Sequence, residues 1–140
     1  MAKTPKKPKD YNALENDEEQ FKKFRHNFVM QTLRRATYRW PFHHLAMKQA
    51  KVDYGLYQCI SCKKCFGPKE INKDHIESVI PVETGFKSWD ETIKRMFVKS
   101  NQIQILCINC HEQKSAIENQ LRIKYGQKPI RTKKRKKSSK

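Results

Sequence analysis

The sequence contains no long apolar run and no apolar segment near its first residues. No hydrophobic stretch reaches the roughly 20 residues that a membrane-spanning helix requires, so no membrane partner is predicted. Met1-Ala2-Lys3 leads directly into lysine and proline, which predicts no secretory signal and a reducing, cytoplasmic location. A lipidation signal and a broad amphipathic face are also lacking, which argues against a basic protein of the membrane surface.

Acidic residues are scarce, and two long stretches have none. The 140 residues include 31 Lys and Arg against 14 Asp and Glu, a formal charge of +17. Between Phe21 and Val52 there are eight basic residues and no acid, and the same holds from Gln127 to Lys140. Such an excess predicts nucleic acid as the partner, because basic side chains release counterions from phosphates. The residues of these stretches expected to contact nucleic acid are Arg34, Arg35, Arg39, Lys133, Lys134 and Arg135. The final stretch is equally typical of a nuclear-localisation run.

Large apolar residues are few at both ends, so the folded part is expected to be small. We divide the chain into a basic flexible arm (1–14), a basic helical region (15–54), a domain with the cysteine pairs (55–126) and a basic disordered tail (127–140). A core of this size usually gains from a metal cross-link. The oligomeric state is left open, and a monomer is compatible with the sequence.

The helical region is predicted from apolar residues spaced three and four apart. They are Phe21, Phe24, Phe28, Val29, Leu33, Ala36 and Trp40. The acidic run from Asp17 to Glu19 suits a first helical turn, with Asn16 as its cap. Pro41 ends the run or starts a short second helix. The adjacent His43 and His44 would point to different faces of that helix, so a shared metal is not expected.

The domain from residue 55 mixes short strands with helices, which predicts the α+β class. Its expected elements are a strand at Tyr57-Gln58, a strand at 70–73, a helix at 89–98, a strand at 103–106 and a helix from His111 to about Tyr125, ended by Gly126. On the helix at 89–98, the residues expected to be buried are Trp89, Ile93, Met96 and Phe97.

Two cysteine pairs, Cys59/Cys62 and Cys107/Cys110, are separated by 44 residues. In a reducing compartment such pairs indicate a metal rather than disulfides, and four thiolates satisfy a closed structural zinc site. Cys65 offers a competing pair with Cys62. The pair at Cys59 is preferred because it follows the predicted strand directly, which leaves Cys65 as a spare thiol.

Asp74 and His75 lie between the cysteine pairs, at the end of a predicted strand. Successive strand side chains alternate, so the carboxylate and the imidazole would lie on opposite sides. His111 directly follows Cys110, so zinc would also fix its position. An Asp oxygen and a His nitrogen leave open positions on a magnesium or manganese ion, and His75 can deprotonate water near neutral pH.

Residues 57–118 resemble the HNH endonucleases in their zinc-containing form, which have the ββα-metal fold. The motifs that carry the resemblance are Tyr57-x-Cys59-x-x-Cys62, Lys73-Asp74-His75-Ile76 with Pro81, and Gln104-x-Leu106-Cys107-x-x-Cys110-His111-x-x-Lys114-Ser115. Small HNH proteins of bacteriophage genomes are similar also in Arg34-Arg35-Ala36, Trp40-Pro41, Gly85-Phe86, Trp89-Asp90 and Ile93.

The resemblance implies a role for each matching residue. His75 would be the general base, Asp74 and His111 would hold the catalytic ion, and Lys114 would lie near the scissile phosphate. The family's middle residue, usually Asn, falls on Gln102, with Asn101 beside it. Either Gln102 substitutes, or Asn101 shifts into place through a bulge, or catalysis is weakened.

The expected function is a metal-dependent DNA endonuclease that nicks or cleaves with low sequence specificity, RNA remaining a possible substrate. Its cofactors would be structural zinc and catalytic magnesium or manganese. If phage-encoded, it would act in the host cytoplasm. The alternative is an HNH-derived zinc module that binds DNA, RNA or a ribonucleoprotein without cutting it. Charge and zinc fit both hypotheses, and only Asp74, His75 and His111 favour catalysis.

Overall fold

The computed structural model describes residues 10–130, which begin with three helices. They are α1 (Tyr11–Glu15), α2 (Glu18–Ala36) and α3 (Pro41–Ala50), with a 3₁₀ turn at Thr37–Arg39 between the last two. Within residues 10–130, none of the helices is both long and apolar enough to cross a bilayer. The arm predicted to be flexible over residues 1–14 is helical from Tyr11, where α1 begins. Residues 1–9 of that arm lie outside the described part.

The N-terminus of α2 is capped by Asp17 and not, as predicted, by Asn16. The Asp17 carboxylate accepts a hydrogen bond from the Gln20 amide at 3.1 Å, while Asn16 ends α1. Glu18 and Glu19 occupy the first turn, where negative charge is favoured.

The inner face of α2 differs from the predicted apolar stripe. Met30 is buried, and the His26 ring contacts Phe86 and Trp89 at centroid distances of 4.6 and 4.8 Å. Phe24 and Phe28 are exposed, although the spacing predicted them on the packed side. The predicted apolar residues cover a wider part of the helix surface than the part of α2 that packs against the rest of the domain.

In the described part of the chain, five strands form two antiparallel sheets. The first contains β1 (Lys51–Asp53), β2 (Leu56–Gln58) and β3 (Cys65–Phe66), and the second pairs β4 (Ile71–His75) with β5 (Ile103–Cys107). Together with the helices they make a small mixed domain, in agreement with the predicted α+β class. One core cluster joins α3 to the second sheet through Ala46, Ile71, Ile103 and Ile105.

The helix α4 (Trp89–Met96) is capped by the Ser88 hydroxyl, which accepts a hydrogen bond from the Glu91 amide at 3.2 Å. Met96 is fully buried, as predicted. The prediction for Ile93 was wrong, because that side chain is 42% exposed and Thr92 is buried instead. The Thr92 hydroxyl donates to the Ser88 carbonyl at 2.9 Å, so this polar side chain is satisfied within its own helix.

The last helix, α5 (Ile108–Lys124), packs against both strands of the second sheet and is followed by Gly126 at φ +76°. The predicted tail does not begin as free chain. Asn119 exchanges two hydrogen bonds with the backbone of Ile130, at 3.0 and 2.9 Å. The remainder of that tail, which includes Lys133, Lys134 and Arg135, lies outside the described residues.

Two arginines hold the long loop between β4 and α4. Arg95 donates twice to the Ser78 carbonyl, at 2.9 and 2.7 Å. Arg122 is 2% exposed and donates to the carbonyls of Ile80 and Pro81 at 2.9 and 3.3 Å and to the Ser78 hydroxyl. Burial lowers the pKa of Arg122. These bonds fix the loop that follows Asp74 and His75.

We expect Arg122→Met to destabilise the domain by about 1–3 kcal/mol, because it removes charged hydrogen bonds to two carbonyls and a hydroxyl that are partly buried. Urea denaturation followed by circular dichroism measures the change. Arg35→Met on the exposed surface of α2 is the control and should change stability by less than about 0.5 kcal/mol. Equal stabilities of the two variants would contradict this role for Arg122.

Candidate metal centre and adjoining polar site

The first cysteine pair lies in a tight turn after β2. The Cys59 amide donates to the Lys64 carbonyl and the Lys63 amide donates to the Cys59 carbonyl, both at 2.9 Å. Lys63 adopts a left-handed conformation, φ +62°, which reverses the chain after Cys62. The turn is tied to β5 by a hydrogen bond from the Ile60 amide to the Ile105 carbonyl, 3.0 Å long.

The second cysteine pair forms the start of α5. Cys107 is the N-cap residue, and its sulfur accepts a hydrogen bond from the Cys110 amide at 3.4 Å. The helix begins at Ile108 and not at His111 as predicted, so Cys110 and His111 share its first turn. The cysteine that caps the helix and the histidine that faces the neighbouring site therefore belong to one rigid unit.

The two turns bring the sulfurs of Cys59, Cys62, Cys107 and Cys110 within 4.8 Å of one another. Tetrahedral zinc with bonds of 2.3 Å separates its sulfur ligands by about 3.8 Å. The sulfurs of Cys62 and Cys107 are 3.9 Å apart, which fits that geometry. The grouping confirms the predicted cysteine set, and the exposed Cys65 on β3 lies outside it.

The thiols of this group ionise unequally. Although burial opposes ionisation of Cys59, backbone amides of Cys107, Cys62 and Ser61 lower its pKa to about 6. Burial raises the pKa of Cys107 to about 12, aided by the neighbouring thiols. Four adjacent thiolates would repel one another, and a divalent cation is what allows all four to ionise together. The donor set is therefore suited to a structural metal ion such as zinc.

Asp74 lies on the side of β4 that faces α5. Its Oδ1 is 3.5 Å from His111 Nε2, and its Oδ2 is 2.8 Å from Lys114 Nζ. Gln104, opposite Asp74 on β5, donates to the same Oδ2 at 2.9 Å. Burial opposes ionisation, but these hydrogen bonds lower the pKa of Asp74, so it is a carboxylate at neutral pH.

Asp74 Oδ1 and His111 Nε2 are two neighbouring donor atoms of the kinds that bind divalent ions. Two ligands about 2.1 Å from one ion lie about 3 Å apart when adjacent and about 4 Å apart when opposite. Their separation of 3.5 Å falls between these limits. Lys114 contacts the other carboxylate oxygen, Asp74 Oδ2, together with Glu118 Oε1 and the His75 carbonyl.

His75 lies on the opposite side of β4, as strand alternation predicts. Its Nε2 is 2.7 Å from the Met96 carbonyl oxygen. A carbonyl oxygen can only accept, so Nε2 carries a proton and Nδ1 is the basic nitrogen of the neutral ring. The end of α4 therefore fixes both the orientation and the tautomer of this imidazole.

Both candidates for the family's middle residue lie in the same surface cleft as His75. The cleft is lined by His75, Ile76, Glu77, Glu91, Lys94, Arg95, Val98, Asn101 and Gln102. The Gln102 carbonyl accepts a hydrogen bond from the Ile76 amide at 3.0 Å, immediately after His75. Gln102 supports this strand end through its backbone, a contact that does not depend on an Asn side chain.

His43 is a neighbour of His75 that sequence reasoning did not find. It is 6% exposed, and its ring centroid lies 5.4 Å from that of His75. Burial, together with the charges of His75, Lys73 and His44, lowers the pKa of His43 to about 4. The sequence indicated only that His43 and His44 point to different faces of a helix. It carried no signal that α3 packs beside His75.

His43→Leu should reduce the loss of stability on mild acidification. Folding favours the neutral His43 ring, so its contribution is complete above pH 6.5, its unperturbed value, and falls as the pH approaches 4. Between about pH 7 and about pH 5.5, wild type should lose about 1 kcal/mol more than the variant. Urea denaturation of zinc-loaded protein measures this, with the exposed His44→Leu as control. Equal losses in wild type and His43→Leu would contradict the assignment.

The predicted nucleic-acid contacts divide into two groups. Arg34, Arg35 and Arg39 are exposed around the end of α2. Lys114 is half-buried beside Asp74 and belongs to the polar site.

Comparison with known protein families, with curated proteins and with solved structures finds no match to this chain.

Proposed function

We propose that this protein is a metal-dependent endonuclease of the HNH type, which hydrolyses phosphodiester bonds of DNA with little sequence preference. The observation that carries the proposal is the 3.5 Å pair of Asp74 Oδ1 and His111 Nε2, in which Asp74 precedes His75 on β4 and His111 follows the last residue of the four-cysteine group on α5. The pairing of β4 with β5 and the packing of α5 against both strands support the proposal, although α4 lies between the two strands in the chain.

The four cysteines would hold zinc as a structural ion, and Asp74 and His111 would hold magnesium or manganese. When bound, that second ion supplies stabilisation of the negative charge on the leaving oxygen. Asp74 is suited to this role because it is ionised and positioned by Gln104. His111 is positioned because its helix is capped by Cys107.

His75 would take the proton from the attacking water at Nδ1, since Nε2 is engaged by the Met96 carbonyl. The fixed ring keeps Nδ1 in one direction, which favours a water placed for in-line attack. Lys114 adds positive charge beside Asp74, where a phosphate oxygen would approach. The exposed arginines of α2 would contact the DNA backbone rather than read bases.

A second function is favoured by one contact. Lys114 Nζ lies 2.8 Å from Asp74 Oδ2, so an internal cation already neutralises part of the charge available for a metal ion. If that pair prevents ion binding, the protein is a zinc module that binds nucleic acid without cutting it. The two functions differ in whether cleavage depends on the ion held by Asp74.

We expect purified, zinc-loaded protein to nick supercoiled plasmid only when magnesium or manganese is added. Asp74→Asn should lower the nicking rate by at least about 100-fold, because it weakens a ligand of the ion that stabilises the leaving oxygen. Gel electrophoresis of relaxed and linear plasmid measures the rate.

The exposed Asp90→Asn on α4 is the control and should nick like wild type. Nicking that needs no added ion, or that survives in Asp74→Asn, would contradict the proposed enzyme. Intact DNA binding with no nicking in any variant would favour the zinc module.

A further inference from the structure

Two phenylalanines on α2 are exposed on the outside of the domain. Phe28 is 63% exposed and Phe24 is 36% exposed. Their rings are nearly parallel, with an interplanar angle of 26° and a centroid distance of 6.4 Å. Tyr11 of α1 contacts Phe24 edge-on at 6.3 Å and is itself exposed. These three rings, of Tyr11, Phe24 and Phe28, form an aromatic row on the outside of the molecule.

The aromatic row faces away from the rest of the domain. A helix turns 100° per residue, so His26 and Met30, which face the interior, lie more than about 100° around α2 from Phe24 and Phe28. The same count places Gln20, Gln31 and Arg35 near the two rings on the outer face, together with the half-buried Phe21. The outer face of α2 therefore carries aromatic rings and amide side chains, with the cationic Arg35 near its C-terminal end.

The charge around the aromatic row changes along the helix. The acids of α2 all precede Phe21, and from Phe21 to the helix end every charged side chain is basic. Arg34 and Arg35 lie in the last turn. A polyanion crossing the rings would therefore run toward the C-terminal end of α2, where its phosphates meet arginines.

A second copy of the chain is the main rival occupant, but the outer face suits it poorly. Stable interfaces bury about 800 Å² on each partner, with an apolar centre. Here two phenylalanines and one tyrosine are surrounded by amides and arginines, and each copy carries a formal charge of +17. Exposed aromatics in a basic setting are instead the combination that binds single-stranded nucleic acid.

We propose that the aromatic row of Tyr11, Phe24 and Phe28 binds single-stranded nucleic acid by stacking on its bases, while Arg35 at the end of the row contacts its phosphates. Paired bases in a duplex do not offer their faces, so the row distinguishes unpaired segments from duplex. The inference deepens the proposed function, because it makes DNA with a single-stranded portion the preferred substrate class. It rests on that function only in taking nucleic acid as the partner.

Fluorescence anisotropy without added magnesium tests the inference and requires no cleavage. The probes are labelled oligothymidylate and oligouridylate of about 20 nucleotides and a duplex of equal length. The double variant F24A/F28A should raise the Kd for the single strands by at least about 30-fold, which is the loss of two stacked bases at about 1 kcal/mol each. The Kd for the duplex should change less than about threefold. The two single-stranded probes show whether DNA or RNA is preferred.

Three further variants make the outcome specific. F24L/F28L keeps apolar bulk without a flat ring and should bind single strands as weakly as the alanine variant, whereas F24W/F28W should bind like wild type. Tyr54→Ala removes an aromatic side chain that is 92% exposed but lies in the turn before β2, and should leave all affinities unchanged. Circular dichroism confirms that each variant folds.

Unchanged binding of single strands by F24A/F28A would overturn the inference, as would wild-type affinity of F24L/F28L. A dimeric wild type that becomes monomeric in F24A/F28A, measured by sedimentation, would assign the row to self-association instead. The anisotropy result is separate from the nicking result. Absence of plasmid nicking would contradict the proposed enzyme but not the binding inference. Unchanged affinities in F24A/F28A would contradict the binding inference but not the proposed enzyme.

Discussion

Replacing Cys110 with serine is expected to unfold the domain. Structural zinc in small domains contributes an apparent binding free energy of about 10–16 kcal/mol, which is as large as the whole stability of a typical domain. The core here is small, and the cysteine group joins the turn after β2 to the start of α5. Mass spectrometry of bound zinc and a thermal melt followed by circular dichroism measure the effect. Cys110→Ser should have lost both zinc and its cooperative melt.

Cys65→Ser is the matched control, since this thiol lies on the neighbouring strand but outside the group of four. It should bind one zinc per chain and melt within about 2 °C of wild type. A Cys110→Ser protein with wild-type zinc content and melting temperature would show that the ligand assignment is wrong. Loss of zinc in Cys65→Ser would lead to the same conclusion.

His75→Ala is expected to lower the rate of DNA cleavage by about 10²–10⁴-fold, the usual contribution of a positioned general base. The imidazole has one engaged nitrogen, which donates to the Met96 carbonyl, and one basic nitrogen left for water. Alanine removes that base without touching Asp74, His111 or the cysteines. Single-turnover cleavage of a labelled duplex at saturating magnesium measures the chemical step directly.

His44→Ala is the control, because this exposed histidine follows the buried His43 on α3 and contacts neither metal site. Its cleavage rate should equal that of wild type. His75→Ala should retain its cooperative melt, zinc content and affinity for DNA, which separates a catalytic loss from a structural one. Equal cleavage rates for His75→Ala and His44→Ala would remove His75 from the mechanism.

The sequence predicted those features that depend on residues near one another along the chain. The spacing of Cys59 with Cys62 and of Cys107 with Cys110 indicated two turns, and the structure brings them into one group. Asp74 and His75 were predicted at a strand end with opposite directions, which follows from the alternation of strand side chains. Gly126 was predicted to end α5 because glycine adopts the left-handed conformation found there.

Features that depend on packing between distant segments could not be predicted in this way. Whether Phe24 and Phe28 are buried depends on how much of the α2 surface packs against the rest of the domain. Their spacing alone predicted them on the packed side of the helix, but both are exposed. Arg122 holds carbonyls about 40 positions away, and a charged residue in a helix normally indicates a solvated surface. His43 reaches His75 only because α3 packs against the second sheet.

Anomalous diffraction from crystals of zinc-loaded protein grown with manganese tests the central claim most directly, namely that the zinc-bound cysteines place His111 opposite Asp74 to hold a second ion. We predict zinc among Cys59, Cys62, Cys107 and Cys110, and manganese bound to Asp74 Oδ1 and His111 Nε2 with Lys114 still near Oδ2. Zinc in the cysteine group with Lys114 retained on Asp74, but no manganese beside it at saturating concentration, would contradict the claim.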